Sequence, residues 1–431
     1  MHRILIIHYH LNPGGVTRII ESQVQALKKQ NPPQEIIILT GHRDDPQKIQ
    51  NAGARLIVEE RLNYLSEISD FNAEKDYLNN FFNGILNSND IIHFHNLNLG
   101  KNPILTFIIS ELANSGYRVI NHIHDFAEDR PENYQFMERV IAEVTDKPIK
   151  EILYPPTNNI FYIVLTTFDR NKLIRLVVNQ KNIHVLPNPV ILPSIRSNVD
   201  LKEQRSSILQ KFHLDHAKKI VTYPVRVIRR KNIGEYILLC FLFRDKANWL
   251  VTQPPRNPVE IKSYNQWKKF CSEYEIPLLF EAGLETDYEM LIRCSDFCFT
   301  TSIREGFGMA YLEPWILGVP VIGRNLPNVT HDFIKTGLVF PLLYNEIKVT
   351  WNCTNSDFAS LTEATQRDII AELIKDHQKS EEIISHNRFL EKLLISVDQT
   401  LIDKNKALIL QEFSLENYAK RLNTIYRKIT E

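Results

Sequence analysis

Four groups of residues in this chain have types and spacings that can do chemistry. The densest is the string Arg304-Glu305-Gly306-Phe307-Gly308-Met309-Ala310-Tyr311-Leu312-Glu313, which follows the apolar run Phe297–Thr301 and opens a helical one, Ala310–Leu317. Gly306 and Gly308 let a ligand approach the backbone, and a helix N-terminus turns unpaired N–H groups, here those of Gly306 to Met309, toward electron-rich atoms. Glu305 and Glu313 lie eight residues apart. On a continuous helix that is about 2.2 turns, so both carboxylates would look to one side. Carboxylates so placed accept hydrogen bonds from the vicinal hydroxyls of a ribose or a hexose. For Glu305 alone, the plain alternative is an acid at the positive end of a helix dipole.

The second group is Arg226, Arg229, Arg230 and Lys231, directly after the run Ile220–Tyr223. Cations at a strand's carboxyl end receive phosphates, arginine as a bidentate fork and lysine as a point charge. The third is Gly14-Gly15, between the run Arg3–His8 and the helical stretch Val16–Lys29. The pair can present backbone N–H groups to a phosphate, but it is neither a dinucleotide fingerprint nor a P-loop. The fourth is a set of histidines spaced by two: His8 and His10, His93 and His95, His122 and His124. Each pair ends a strand-like run and turns two rings to one side while the chain stays extended. Such rings gather around an acceptor molecule or ligate a metal, so a metal-dependent hydrolase is a live alternative. Asp125 follows His124 and opens a polar excursion in which Arg130 suits an acceptor carrying carboxylate or phosphate.

The elements that must position these groups alternate between apolar runs and helical periodicity. Strand-like runs fall at Arg3–His8, Glu35–Leu39, Arg55–Val58, Asp90–Phe94, Arg118–His122, Phe161–Leu165 and Asn182–Leu186. Helical stretches lie between most of them, at Val16–Lys29, Glu74–Leu86, Pro103–Ser115 and Arg170–Val178. The stretch Phe126–Pro156 interrupts the rhythm and reads as a functional loop or an excursion with its own helix. A linker is expected from Pro187 to about Ser197, then a second series: Ile220–Tyr223, Ile233–Phe243, Trp249–Thr252, Pro277–Phe280, Tyr288–Cys294, Phe297–Thr301, Ala310–Leu317 and Val319–Ile322. After about Asp357 the pattern is helical only. Short, nearly all-apolar strands alternating with helices mean parallel sheets covered on both faces.

At 431 residues the chain exceeds one ordinary core, so two domains are expected. The reading is an N-terminal domain over 1–197, a second over 198–410 and a terminal helix over 411–431 that packs back on the first. Lys plus Arg equals Asp plus Glu at 51 each, which argues against nucleic-acid binding and against stable attachment to a membrane surface. The five cysteines (Cys240, Cys271, Cys294, Cys298, Cys353) form neither a disulfide framework nor a zinc pattern. With no spanning apolar run and no signal-peptide layout, the cytoplasm is the expected compartment.

Taken together these residues resemble glycosyltransferase family 4, the retaining family with the GT-B fold. The likeness runs from Gly14-Gly15 to about Gly323 and is most specific in the second half. Arg226 and Lys231, five apart, match the cations that bind the donor diphosphate; Glu305 and Glu313 match the Glu-x7-Glu motif. Pro187-Asn188-Pro189-Val190 stands where that family enters its linker, and Gly318-Val319-Pro320-Val321-Ile322 matches its Gly-x-Pro-Val strand. Val225, Asn232, Pro314 and Trp315 depart from the pattern, which leaves the base and the sugar open. The resemblance implies two Rossmann-like domains whose sheets face across a cleft, and transfer of a hexose from a nucleoside-diphosphate sugar such as UDP-glucose or GDP-mannose.

Under it, Arg226 and Lys231 stabilise the leaving diphosphate and Glu313 holds the ribose. Glu305 with the backbone of Gly306, Phe307, Gly308 and Met309 holds the sugar, and Gly14 and Gly15 complete the donor site. His124, or in competition His122, is the acceptor-side histidine, with His95, Asp125 and Arg130 beside the acceptor. The acceptor is expected to be a small molecule or glycan; no metal or further cofactor is expected, because the cations take a metal's place. A GT-B phosphorylase, a nucleotide-sugar epimerase and a non-catalytic sugar-nucleotide sensor are the rivals.

Overall fold

The structure is a computed structural model that describes residues 2–29, 34–43, 53–177, 179–191 and 200–430. The chain divides into two compact units: Met1–Ile191 together with Phe413–Glu431, and Leu192–Glu412. The division thus falls six residues before the expected boundary at 197. Of the expected linker, 192–197 lies outside the described residues.

The first unit is built on β1 (Ile4–His8), α1 (Gly15–Lys28), β2 (Ile36–Thr40), β3 (Arg55–Val58), α2 (Phe71–Ile85), β4 (Ile91–His95), α3 (Pro103–Asn114) and β5 (Arg118–Ile123). It continues through α4 (Pro131–Val144), α5 (Ile149–Leu153), β6 (Ile160–Val164), α6 (Thr167–Leu173) and β7 (Ile183–Val185). All seven strands are parallel, in the order β3-β2-β1-β4-β5-β6-β7. Every residue of β1, β2 and β4 is buried, as the unbroken apolar runs require; the edge strand β3 is not. Alternate residues of these strands enter two separate cores, Leu5, Ile7, Ile92 and Phe94 on one face and Ile4, Ile6, Ile91 and Ile120 on the other. Local chemistry sets the helix starts. Asp70 caps α2 by accepting from the Ala73 N–H at 3.0 Å, and Asn102 caps α3 through Leu105 at 3.0 Å, with Pro103 at the first helical position. The polar excursion after β5 carries helices α4 and α5 rather than a bare loop. Helix α6 stops at Leu173, short of the expected Val178, which itself lies outside the described residues.

The second unit repeats the plan with α7 (Leu201–Lys211), β8 (Lys219–Arg226), α8 (Ile233–Leu242), β9 (Ala247–Gln253), α9 (Pro258–Glu273), β10 (Leu278–Leu279), α10 (Ala282–Glu285) and α11 (Tyr288–Arg293). Then follow β11 (Phe297–Thr300), α12 (Glu313–Ile316), β12 (Val321–Arg324), α13 (Pro327–Lys335), β13 (Leu343–Tyr344), the antiparallel hairpin β14 (Lys348–Trp351) and β15 (Thr354–Asp357), α14 (Glu363–Lys375), α15 (His377–His386) and α16 (Gln399–Glu412). Its parallel sheet has the order β10-β9-β8-β11-β12-β13. Helices α7, α9, α10 and α13, strand β13 and the hairpin are additional to the elements expected from the sequence.

One expectation fails in this unit. No continuous helix joins Glu305 to Glu313: a single 3-10 turn, Met309–Tyr311, is followed by the four-residue α12. Gly308 between them has φ 85°, outside the right-handed helical region, and Pro314 sits in the first turn of α12, where a ring without an N–H starts a helix but does not continue one. The two carboxylates are therefore not related by a helical repeat.

The last helix, α17 (Leu415–Thr430), belongs to the first unit and packs against α1. Its stripe of Tyr418, Leu422, Ile425, Tyr426 and Ile429 joins the core formed by α1 and one face of the sheet. The Val190 N–H donates to the Phe413 carbonyl at 2.7 Å, tying the chain's exit from this unit to its return.

Candidate active site

In each sheet the strand order reverses once: between β1 and β4 in the first unit, and between β8 and β11 in the second. Such a switch point leaves a crevice at the carboxyl ends of the two central strands, where open parallel sheets bind ligands. Both sets of candidate residues fall at these points.

In the second unit, Arg226 ends β8 beside an irregularity in its pairing with β9 between Tyr223 and Arg226. An extra residue there locally twists the strand and re-aims the side chain. The Arg226 Nε donates to Gln253 Oε1 at 3.4 Å. Arg229–Lys231 forms a 3-10 turn closed by Asn232 in the left-handed conformation (φ 52°), which asparagine tolerates. The Asn232 amide donates to Glu235 at 3.1 Å and accepts from Gln366 at 3.2 Å. The Lys231 carbonyl accepts from the Thr301 hydroxyl at 2.9 Å and from the Tyr223 hydroxyl.

These contacts bring the turn against the loop after β11, where the Ile303 N–H donates to the Arg230 carbonyl at 3.0 Å. Glu305 is the centre of the result. Its carboxylate pairs with Lys231 Nζ, accepts from Arg230 Nη1 at 2.7 Å and accepts from the Ser302 hydroxyl at 2.7 Å. Only 7% of the Glu305 side chain is exposed. Burial alone would raise its pKa, but Lys231 and Arg230 outweigh burial and hold it below the ordinary carboxylate value. Burial lowers the Lys231 pKa, with Arg230 adding to the shift and Glu305 and Glu313 opposing it.

The sequence reading placed Lys231 on a phosphate and Glu305 on a sugar as separate groups. The structure instead pairs them, and Glu313 lies near enough to act on the Lys231 charge. Ser302 and Arg230, the partners that orient Glu305, were not assigned this role from sequence; their signal was their place on the two loops flanking the switch point. Gly308 has φ 85°, and a Cβ there would lie 2.5 Å from Val329 Cγ1, so only glycine fits. Phe307 is buried against Phe333, and no side chain caps the turn that starts at Met309.

In the first unit, Gly14 and Gly15 stand at the start of α1, again without a side-chain cap; a Cβ at Gly15 would meet open space. Across the switch point, Asn96 adopts φ 65° and its Oδ1 accepts from the backbone N–H groups of His124 at 2.7 Å and Asp125 at 3.2 Å. Asn96 thus fixes the turn that carries both. Arg130, exposed, pairs with the partly exposed Asp125 at 3.1 Å. Lys101 sits just before the capped start of α3, its Nζ 5.6 Å from the Tyr64 ring, and Tyr64 packs edge-on to His10 at 4.9 Å. Burial lowers the Lys101 pKa, the nearby Arg130 charge adds to that, and Glu132 opposes it.

The histidines form one packed stack rather than separate pairs. The ring centroids of His95 and His124 lie 5.2 Å apart and those of His122 and His124 4.4 Å apart, with nearly parallel planes in each case. His124 Nε2 meets His95 Nδ1 at 2.9 Å, and His95 Nε2 donates to Gln23 Oε1 at 2.9 Å. Gln23 Nε2 donates to the Tyr426 hydroxyl at 2.9 Å, and that hydroxyl lies 2.9 Å from His93 Nδ1. His93 Nε2 then meets His122 Nδ1 at 3.1 Å. His93, His95 and His122 are fully buried, whereas His124 is partly exposed. Burial brings the pKa of His93 and His124 down to about 3 and of His8 to about 4; His95 and His122 move in the same direction for the same reason.

His95, expected beside the acceptor, therefore stands behind His124 with both ring nitrogens occupied. His122, the competing acceptor-side choice, is enclosed. His93, His95 and His122 have ligand atoms within 4.8 Å of one another, the group among the described residues that could hold a metal. Yet five of their six ring nitrogens are spent on one another, on His124, on Gln23 and on Tyr426, with His122 Nε2 left without a partner; no carboxylate joins them, and solvent does not reach them. That donor set does not suit the open coordination a hydrolytic metal needs. Cys240, Cys271, Cys294 and Cys298 are buried and free, and burial raises each thiol pKa, away from nucleophilic use. No described helix is long and apolar enough to cross a membrane.

Two parallel α/β units of this kind, with a helical C-terminal tail, define the GT-B fold, and solved structures of that class match the chain along its length. Sucrose-phosphate synthase from Thermosynechococcus elongatus superposes with TM-score 0.60 at 14% identity over 100% of this chain and 99% of that one. HepE from Anabaena, solved with UDP-glucose, superposes with TM-score 0.61 at 12% identity over 99% and 100%. At such identities the likeness is one of fold. No family model matches the sequence. Among curated proteins, mannosylglucosyl-3-phosphoglycerate synthase of Petrotoga mobilis is 30% identical over 363 residues, covering 77% of this chain and 66% of the relative. Trehalose synthase of Pyrococcus horikoshii is 26% identical over 226 residues, half of each chain. The matches thus span half to just under two thirds of these curated relatives.

Proposed function

We propose that this chain is a retaining glycosyltransferase of the family 4 type that moves a hexose from a nucleoside-diphosphate sugar to a small anionic hydroxyl acceptor without a metal ion. The observation that carries the reading is the group of cations at the switch point of the second unit, Arg230 and Lys231 locked by Glu305 with Arg226 and Arg229 in the same segment. A departing diphosphate develops charge where these cations stand, and preorganised charge of that kind usually lowers a reaction barrier more than any other single effect. Glu313 then holds the ribose, and Glu305 with the Gly306–Met309 backbone holds the sugar. Retention follows from front-face displacement, in which the leaving phosphate oxygen accepts the proton of the attacking hydroxyl.

Arg130 and Lys101 in the first unit support an acceptor bearing a carboxylate or phosphate. The Petrotoga relative is named for a mannosylglucosyl-3-phosphoglycerate, and a phosphoglycerate-bearing acceptor suits those cations. His124 accepts a hydroxyl of the donor sugar or the acceptor.

The test is a thermal-shift screen of nucleoside diphosphates and their sugars, followed by a transfer assay with phosphoglycerate-bearing acceptors before and after exhaustive EDTA treatment. A ligand that binds only the folded state raises the melting point, so the true donor reveals itself by mass action. Transfer with retained anomeric configuration, unchanged by EDTA, is the expected result. Loss of activity with EDTA, restored by a divalent ion, overturns the metal-free mechanism. Donor binding without transfer to any acceptor favours a sugar-nucleotide sensor.

A further inference from the structure

We infer that Gln23, a residue of α1, is a positioning residue that sets the ring tautomer of His124 through His95, so that His124 meets its substrate with a bare Nδ1. This rests on the reading above that His124 contacts a sugar hydroxyl.

Gln23 is 0% exposed. A neutral imidazole has one donor and one acceptor nitrogen, and an amide has one acceptor oxygen and one donor nitrogen. The depressed pKa of every ring in the stack keeps all of them neutral near pH 7. An amide oxygen can only accept, so His95 carries its proton on the Nε2 that faces Gln23 Oε1. His95 Nδ1 is then bare and can only accept, so His124 carries its proton on the Nε2 that faces it. The hydrogen bond at one ring nitrogen thereby fixes the state of the other. What remains on His124 is Nδ1 as a lone pair, able to accept from an alcohol O–H and unable to donate to an oxyanion.

The other end of the same amide polarises the second branch. Gln23 Nε2 donates to the Tyr426 hydroxyl, which donates to His93 Nδ1, and His93 donates through Nε2 to His122. One amide between two helices thus orders both branches, and α17 supplies the hydroxyl that receives its N–H.

The experiment uses full-length protein labelled with ¹⁵N-histidine, the His124 signals being assigned by their loss in His124→Asn. Non-protonated and protonated ring nitrogens resonate far apart, so the spectrum reads the tautomer directly. The expected result is a single His124 tautomer with the proton on Nε2. In Gln23→Leu both tautomers appear and kcat falls about tenfold, the scale of one hydrogen bond, while the donor KM stays within about twofold. Gln23→Glu keeps an acceptor toward His95 and restores both the tautomer and kcat. If Gln23→Leu does not fold, His95→Met frees His124 Nε2 in the same way and is read by the same spectrum.

A wild-type His124 protonated on Nδ1, or a mixture of tautomers in the wild type, overturns the inference. So does a tautomer shift in Gln23→Leu with unchanged kcat. Absence of sugar transfer by the wild type sinks the functional reading instead, and the ring-nitrogen spectrum then decides the tautomer setting by itself.

Discussion

At the scale of single residues, the cations after β8 are not interchangeable. Arg226 is bonded to Gln253, whereas Lys231 is nearly buried and pairs with Glu305. Both substitutions, Arg226→Ala and Lys231→Ala, are expected to lower turnover at least a hundredfold, on the order of 3–4 kcal/mol of lost transition-state stabilisation. Only Lys231→Ala should also lower the melting point, because it leaves the buried Glu305 carboxylate with Arg230 as its sole cation partner among the described residues. Steady-state rates and melting curves on the two variants check both halves. Near-wild-type turnover in both removes the phosphate assignment. In the first unit, Arg130→Ala should raise the acceptor KM about tenfold to a hundredfold, matching roughly 1.5–3 kcal/mol for a charge-assisted hydrogen bond. Affinity for the nucleoside diphosphate should stay almost constant. Equal weakening of both ligands would mean that the segment orders more than the acceptor.

At the scale of elements, the loop after β11 depends on Gly308. An alanine there takes on the left-handed penalty of about 1–2 kcal/mol and a collision with Val329. Gly308→Ala is therefore expected to lower the melting point and abolish the donor-induced thermal shift together; an unchanged shift would show that the loop tolerates the strain. The strands around these loops were legible in the sequence because a strand covered on both faces is apolar throughout. Arg55–Val58 matches β3 to the residue, and the other strands of the two parallel sheets lie within a few residues of the expected runs, except β13, whose two residues are too few to show a pattern. Helix α9 escaped notice because its polar surface breaks the periodicity, with only Tyr264, Trp267, Phe270 and Cys271 buried. The site was legible as a set of residues but not as a set of bonds. Spacing alone does not reveal that Gly308 turns left-handed and breaks the helix between the two glutamates, or that Glu305 turns back onto Lys231. Gln23 did leave a trace, as a polar residue three after Ile20 and four before Leu27 in an otherwise apolar stripe. Tyr426 lies some four hundred residues further along the chain (|i−j| = 403), beyond the reach of any local pattern.

At the scale of the whole molecule, the two units should answer acid differently. The buried histidines of the first unit have folded-state pKa values of about 3 to 4, below the unfolded value near 6.5. Their contribution to stability is complete above pH 6.5 and is lost as pH falls from there toward the folded values, at up to about 1.4 kcal/mol per pH unit for each ring. Glu305 in the second unit is also held below its ordinary value, but its contribution stands down to the carboxylate range. Calorimetry between pH 7.5 and pH 5.5 should therefore show one transition moving steeply downward while the other stays nearly fixed; a first transition that does not move would mean that the rings take up protons without unfolding. The return of residues 413–431 to the first unit has a consequence in time. Synthesis runs from the N-terminus, so the sheet of the first unit emerges early, yet the helix that packs on one of its faces is made only after the whole second unit. Until that helix docks, the core between α1 and the sheet face of Ile4, Ile6 and Ile38 lacks the stripe of Tyr418, Leu422, Ile425 and Tyr426 that completes it, and Gln23 lacks the hydroxyl of Tyr426. The whole second unit can meanwhile fold on its own contiguous sequence. A nascent chain stalled just before Leu415 should thus display a protease-resistant second unit behind a first unit that is still cut, an order opposite to the order of synthesis.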